Sequence, residues 1–197
     1  MKKIYTKSKT YSLSYFILFI SILLIQNCSE NNRVDSNLVF RYNEHKNINS
    51  LDPAFAKDVA NIQVVNQLFN GLVEMDQELR VIPSIAKSWK ISNDGKKYTF
   101  FLKNNIKFHE HPKLTNRIVT AEDFVYSFDR LLDPTLASPG GWVFNKVENY
   151  TAINDTILEI SLKEPFNAFL GILTMKYCSV VPKKIVEYYG DEFRSNP

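Results

Sequence analysis

Glycine is scarce in this chain: six residues in 197, with no glycine-rich run that could cradle a phosphate. Cysteine is scarcer still. Cys28 and Cys178 are the only two, which excludes a disulfide framework. Three histidines are present, and only His109-Glu110-His111 clusters, giving at best part of a metal site. No Gly-x-Ser-x-Gly elbow and no nucleophile–base set can be traced. Asp52, Asp123 and Asp133 each stand where a turn or a helix cap accounts for them. An enzyme is therefore not indicated, and no cofactor is expected. Internal repeats and low-complexity segments are also lacking.

What is present begins with a leader. Met1 to Lys9 carries four lysines and no acid, Leu13 to Ile25 is almost wholly apolar, and Cys28 follows. That order is a basic region, an apolar region and a processing site, and the apolar run is short for a membrane span of about 20 residues. The reading is a signal peptide over 1–27 of the bacterial lipoprotein type, with Cys28 acylated after cleavage and 28–37 as a polar tether. Ile25-Gln26-Asn27 departs from the small residues usual before such a cysteine. The whole chain holds 24 basic and 21 acidic side chains; without the leader's four lysines, 20 face 21. The basicity belongs to the leader, so nucleic acid is not an expected partner. Cys178, in the apolar run TMKYCSVV, is expected to be a small buried thiol.

Ser88 to Leu102, SWKISNDGKKYTFFL, reads as a hairpin turning at Asp94-Gly95. A two-residue loop, or a four-residue loop of the same parity, sets Trp89 opposite Phe100 and Ile91 opposite Tyr98. All four then share one apolar face. A three-residue loop would scramble both faces. Phe101 makes the second face partly apolar too. The segment Thr120 to Asp133, TAEDFVYSFDRLLD, reads as a helix. Thr120 is its N-cap, Asp123 holds the capping-box position, and Pro134 stops it. Ala121, Phe124, Val125, Phe128, Leu131 and Leu132 form its apolar stripe. Hairpin plus helix predicts a small α+β layer.

Elsewhere, Leu38 to Tyr42 reads as a first strand and Ser50-Leu51-Asp52-Pro53 as a turn. Asp58 caps a helix whose apolar side carries Val59, Ile62, Val65, Leu68 and Leu72, with Gly71 marking its end. A small hairpin is expected around Asp76-Gln77, and another strand pair around Asn154-Asp155. Trp142 to Val147 stays ambiguous. Pro165 opens a helix to about Leu173, Cys178 to Val181 forms a short buried strand, and Lys183 to Tyr189 opens a last helix.

Six blocks in order resemble the peptide-binding family of extracytoplasmic solute-binding proteins, the receptors of oligopeptide, dipeptide and nickel ABC importers. They are SLDPAF, QLFNGLVEMD, PSIAKSWKISNDGKKYTFFLKNNIKFHE, TAEDFVYSFDRLLDPTLASP, DTILEISLKEPFNAFLGIL and VVPKK. The resemblance implies an α/β fold, the N-terminal part of a two-lobed clamp of the periplasmic-binding-protein type II kind. Residues 38–69 would begin the first lobe, 70–182 would be an inserted α+β subdomain, and 183–197 would return to the first lobe. The second lobe, with the acidic residue that pairs with a peptide's amino terminus, would lie outside these residues. HEHPKLTNRIV, between Phe108 and Thr120, is longer than the usual turn. The implied function is capture of peptides outside the cytoplasm for an ABC permease and its ATPase subunits, by a monomer anchored to the membrane through lipid. Receptors for a nickel chelate or another small solute, and a truncated surface lipoprotein without transport, are the alternatives. The segment around Lys57, Asp58 and Val59 would lie along the ligand through main-chain groups. Trp142 reads first as a plain buried tryptophan; on a second reading, Ser138 to Trp142 would approach the same cleft.

Overall fold

Tyr98, Phe100 and Leu102 alternate with Lys97, Thr99 and Phe101, and that period of two decides the centre of the molecule. The computed structural model describes Asn43 and residues 46–197; the leader, Cys28, the tether and the Leu38–Tyr42 strand lie outside the described residues. A first hairpin joins β1 (Val73–Met75) to β2 (Val81–Pro83), turning at Asp76, whose carboxylate accepts from the Arg80 N–H. A four-stranded antiparallel sheet follows in the order β3-β4-β6-β5, with β3 Ala86–Ile91, β4 Lys97–Leu102, β5 Val147–Asn154 and β6 Ile157–Leu162.

The β3–β4 hairpin adopts the predicted register, with Trp89 opposite Phe100 and Ile91 opposite Tyr98. Its loop is the four-residue form: Ser92 donates to the Lys97 carbonyl, and Gly95 turns through a left-handed φ of 69°. One face of β4 and β6 is fully buried through Tyr98, Phe100, Leu102, Leu158, Ile160 and Leu162. Phe101 on the opposite face is half-buried beneath the Lys90 ammonium. The four residues share a face as expected, but Ile91 is 45% exposed. β3 is an edge strand, with a bulge between Ala86 and Ser88, and Ile91 is its last residue.

Helix α1 (Val59–Leu68) is capped by Asp58, whose carboxylate accepts from the Asn61 N–H at 3.0 Å. Its expected apolar side is corrected. Val65 and Leu72 are buried as expected, but Val59 and Ile62 face solvent, and Ala60 and Asn61 are buried instead. The helix ends at Phe69 in extended backbone, and Gly71 is buried rather than left-handed. Helix α2 (Ala121–Leu132) lies across β5 and β6. The Asp123 carboxylate accepts from the Thr120 N–H at 2.8 Å, the reciprocal bond of the capping box, and also from the Thr120 hydroxyl at 2.9 Å. Ala121, Phe124, Phe128 and Leu131 are buried as expected. Leu132, one residue from the Asp133 C-cap, is 44% exposed.

The C-terminal third departs more. Gly141–Phe144 is a 3-10 turn, and the helix expected from Pro165 is confined to α3 (Phe169–Ile172). Cys178 to Val181 is buried but pairs with no strand. Lys176–Cys178 forms a 3-10 turn, and the following residues run extended, bonded once to the Asn70 carbonyl and once to Ser127 Oγ. Helix α4 (Lys183–Tyr189) is as expected. It carries Ile185 and Val186 into a second core with Leu114, Val181 and Phe193. No described helix is long and apolar enough to cross a membrane.

Candidate functional site

Proline at 53 and the Asp52 cap start a 3-10 turn over Pro53–Phe55, which delivers Ala56, Lys57 and Asp58 to the start of α1. Val59 then stands at the first helical position, where a backbone N–H has no partner inside its helix. Lys57 is exposed, and the Val59 side chain is 69% exposed. The Asp58 carboxylate is committed to Asn61, accepting from both its backbone N–H and its amide nitrogen. Available chemistry at 57–59 is therefore main-chain polarity beside an apolar side chain.

Two other stretches close on this segment. Ser138 Oγ donates to the Ala54 carbonyl at 2.6 Å and accepts from the Gly140 N–H at 3.0 Å. The ring of Tyr177 lies against Gly140 so closely that a Cβ there would stand 2.3 Å from Tyr177 Cδ1, so only glycine fits. Burial, with a smaller contribution from the Asp58 charge, holds the Tyr177 phenol above its ordinary range and keeps it neutral. Ala137, just before this loop, adopts a φ of 50°, uncommon for a residue with a side chain.

Trp142 is 48% exposed, which corrects the reading of a plain buried tryptophan. With Val59, Ile62 and Met175, it belongs to large apolar side chains that the fold leaves facing solvent on segments tied to one another. Singly exposed apolar residues are ordinary on a protein surface.

Of the two clustered histidines, His111 serves structure. His111 Nδ1 accepts from the Lys113 N–H, and Nε2 meets the Tyr189 hydroxyl at 3.1 Å, which fastens the long loop to α4. Among the described residues no three His, Cys, Asp or Glu side chains stand together as metal ligands. Cys178 is a free, buried thiol whose ionisation burial pushes up to about 12, so it is no nucleophile at neutral pH.

Sequence reasoning missed one feature. Asp52 and Arg130, 78 residues apart, form a buried bidentate ion pair at 2.9 and 2.5 Å. Arg130 reads in sequence as a cation at a helix C-terminus, and nothing local points to its partner.

The match to known proteins decides the family. Residues 80–197 fit the sequence profile of bacterial extracellular solute-binding proteins, family 5 (middle region). The chain belongs to this family. It is 33% identical over 168 residues to the periplasmic oligopeptide-binding protein OppA of Salmonella typhimurium, covering 77% of this chain and 30% of that one. Identity is also 33%, over 172 residues, to the probable deoxycholate-binding periplasmic protein YgiS of Escherichia coli, covering 79% and 31%. The substrate-binding domain of an oligopeptide ABC transporter from Bacillus anthracis superposes with a TM-score of 0.74 at 28% identity, over 79% of this chain and 32% of that one. The fold is thus the α/β fold of the type II periplasmic binding proteins, as the family resemblance implies. The chain spans about a third of the length of the relatives it matches. These relatives are named for binding, none for catalysis.

Proposed function

We propose that this chain supplies one wall of the ligand cleft of an ABC importer's receptor for extracytoplasmic peptides. The observation that carries the reading is the main-chain segment Lys57–Val59 at the start of α1, where the side chains of Val59 and, one turn on, Ile62 are exposed. An extended peptide needs such a surface: main-chain groups to pair with its backbone and apolar area for its side chains. The family and its oligopeptide-binding relatives support the substrate class. Lys57, Asp58, Val59 and Trp142 are the proposed contacts, with Asp58 acting through its backbone and its cap.

Export under the 1–27 leader, acylation of Cys28, action as a monomer and delivery to a permease with its ATPase subunits complete the proposal. So does the division into 38–69, 70–182 and 183–197. A second reading, a small apolar solute, draws on the YgiS relative and on the same exposed aromatic and aliphatic side chains. Photo-crosslinking separates them. Tri- to pentapeptides bearing a benzophenone side chain are expected to label residues 54–59 and 138–142. Labelling of the Phe108–Val119 loop instead would sink the cleft assignment. Suppression by deoxycholate at low concentration, without suppression by unlabelled peptides, would favour the apolar solute.

A further inference from the structure

Three parts of the chain, far apart in sequence, converge on the turn that leads into the proposed ligand segment. Asp52 is fully buried, and both its oxygens are held by the Arg130 guanidinium; Oδ1 also accepts from the Ala54 N–H at 3.0 Å. The Leu51 N–H donates to the Arg194 carbonyl at 2.7 Å, and the Arg194 guanidinium lies 3.8 Å from the centre of the Phe55 ring. Ser138 Oγ donates to the Ala54 carbonyl. A helix cap needs none of this, because an exposed aspartate caps equally well. Burying an ion pair contributes little to stability relative to apolar packing, but it fixes geometry, since a bidentate fork admits one orientation.

We infer that Arg130 and Ser138 are positioning residues for the ligand wall. Arg130 holds the Asp52 carboxylate from α2, and Ser138 holds the Ala54 carbonyl from the loop that carries Trp142. Together they set the turn Asp52–Ala56, and through it the direction in which Lys57–Val59 presents its backbone. Because Ser138 also accepts the Gly140 N–H, the same hydroxyl sets the spacing between the two sides of the wall. The assignment rests on the ligand reading of 57–59 for its purpose, but its geometry can be tested without ligand.

Hydrogen–deuterium exchange of the whole chain, read by mass spectrometry, provides that test. The amides of Ala54, Phe55, Ala56 and Lys57 all donate within the turn and so report on it directly. Arg130→Lys keeps the charge and loses the fork; Ser138→Ala removes one hydroxyl. Both variants are expected to speed exchange in residues 52–59 about tenfold, equivalent to about 1.4 kcal/mol of local opening. Exchange in β4 and β6 should stay within about twofold. Equal acceleration in those strands would make the residues ordinary core members, and no change at 52–59 would remove the assignment. If 52–59 loosens while crosslinked peptides attach elsewhere, the positioning stands and the ligand reading falls.

Discussion

Phe128→Ala tests whether α2 and the sheet share one core. Phe128 is fully buried, with ring centroids of Phe144, Tyr150 and Phe124 at 4.5, 5.4 and 6.0 Å. Truncating a buried phenylalanine costs about 3–5 kcal/mol through lost transfer free energy plus the cavity left behind. Three aromatic neighbours, each worth about 0.5–1.5 kcal/mol beyond burial, place this site near the upper end, at about 4–5 kcal/mol. Leu132→Ala, one turn further along the same helix but 44% exposed, is expected to cost under about 1 kcal/mol. Urea denaturation followed by tryptophan fluorescence reads both. With a slope of about 2 kcal/mol per molar, the Phe128 variant should lose about 2 M in midpoint and the Leu132 variant under about 0.5 M. Midpoints differing by less than about 0.5 M would refute the packing argument.

Trp89→Ala on the edge strand removes a half-buried ring 6.4 Å from Phe100 and should cost about 2 kcal/mol, whereas Lys90→Ala on the opposite face should cost under about 1 kcal/mol. Equal losses would mean that the two faces are not distinct. Metabolic labelling with a fatty acid should mark the wild type and spare Cys28→Ala; equal labelling removes the lipoprotein proposal. The Cys178 thiol is held neutral by burial, its folded value raised from an ordinary 9.0 to about 12. Its contribution to stability is therefore complete below pH 9 and is lost as pH rises from about 9 toward 12. Stability should fall more steeply between pH 8 and pH 10.5 in the wild type than in Cys178→Ala, and parallel slopes would contradict the burial account.

Features set by neighbours in sequence were legible before the fold was known. The Trp89–Phe100 register follows from side-chain alternation across a short loop, and the Thr120–Asp123 capping box from residues three apart. Features set by distant partners were not. Ile91 has the right face, but at the end of an edge strand it remains 45% exposed. Cys178 to Val181 is as apolar as a strand, yet its neighbours offer Ser127 Oγ and a single Asn70 carbonyl instead of a sheet edge. The stretch after Pro165 begins with turns, and only Phe169–Ile172 keeps helical bonding. At the candidate site, the positions 57–59 and 142 came from family resemblance. The exposure of Trp142 and the Asp52–Arg130 pair needed coordinates, because no local pattern encodes a contact across 78 residues.

On the proposed reading, these residues form one wall of a cleft whose affinity depends on a second. Backbone hydrogen bonds that compete with water contribute about 0.5–1.5 kcal/mol each, and a few of them barely offset an association cost of about 4–15 kcal/mol. Isothermal titration calorimetry of residues 29–197 with a mixed tri- to pentapeptide pool measures this directly. Binding no tighter than about millimolar, about −4 kcal/mol, is expected. Micromolar binding by these residues alone would contradict it, since one wall would then suffice to desolvate and pair the charged ends of the peptide.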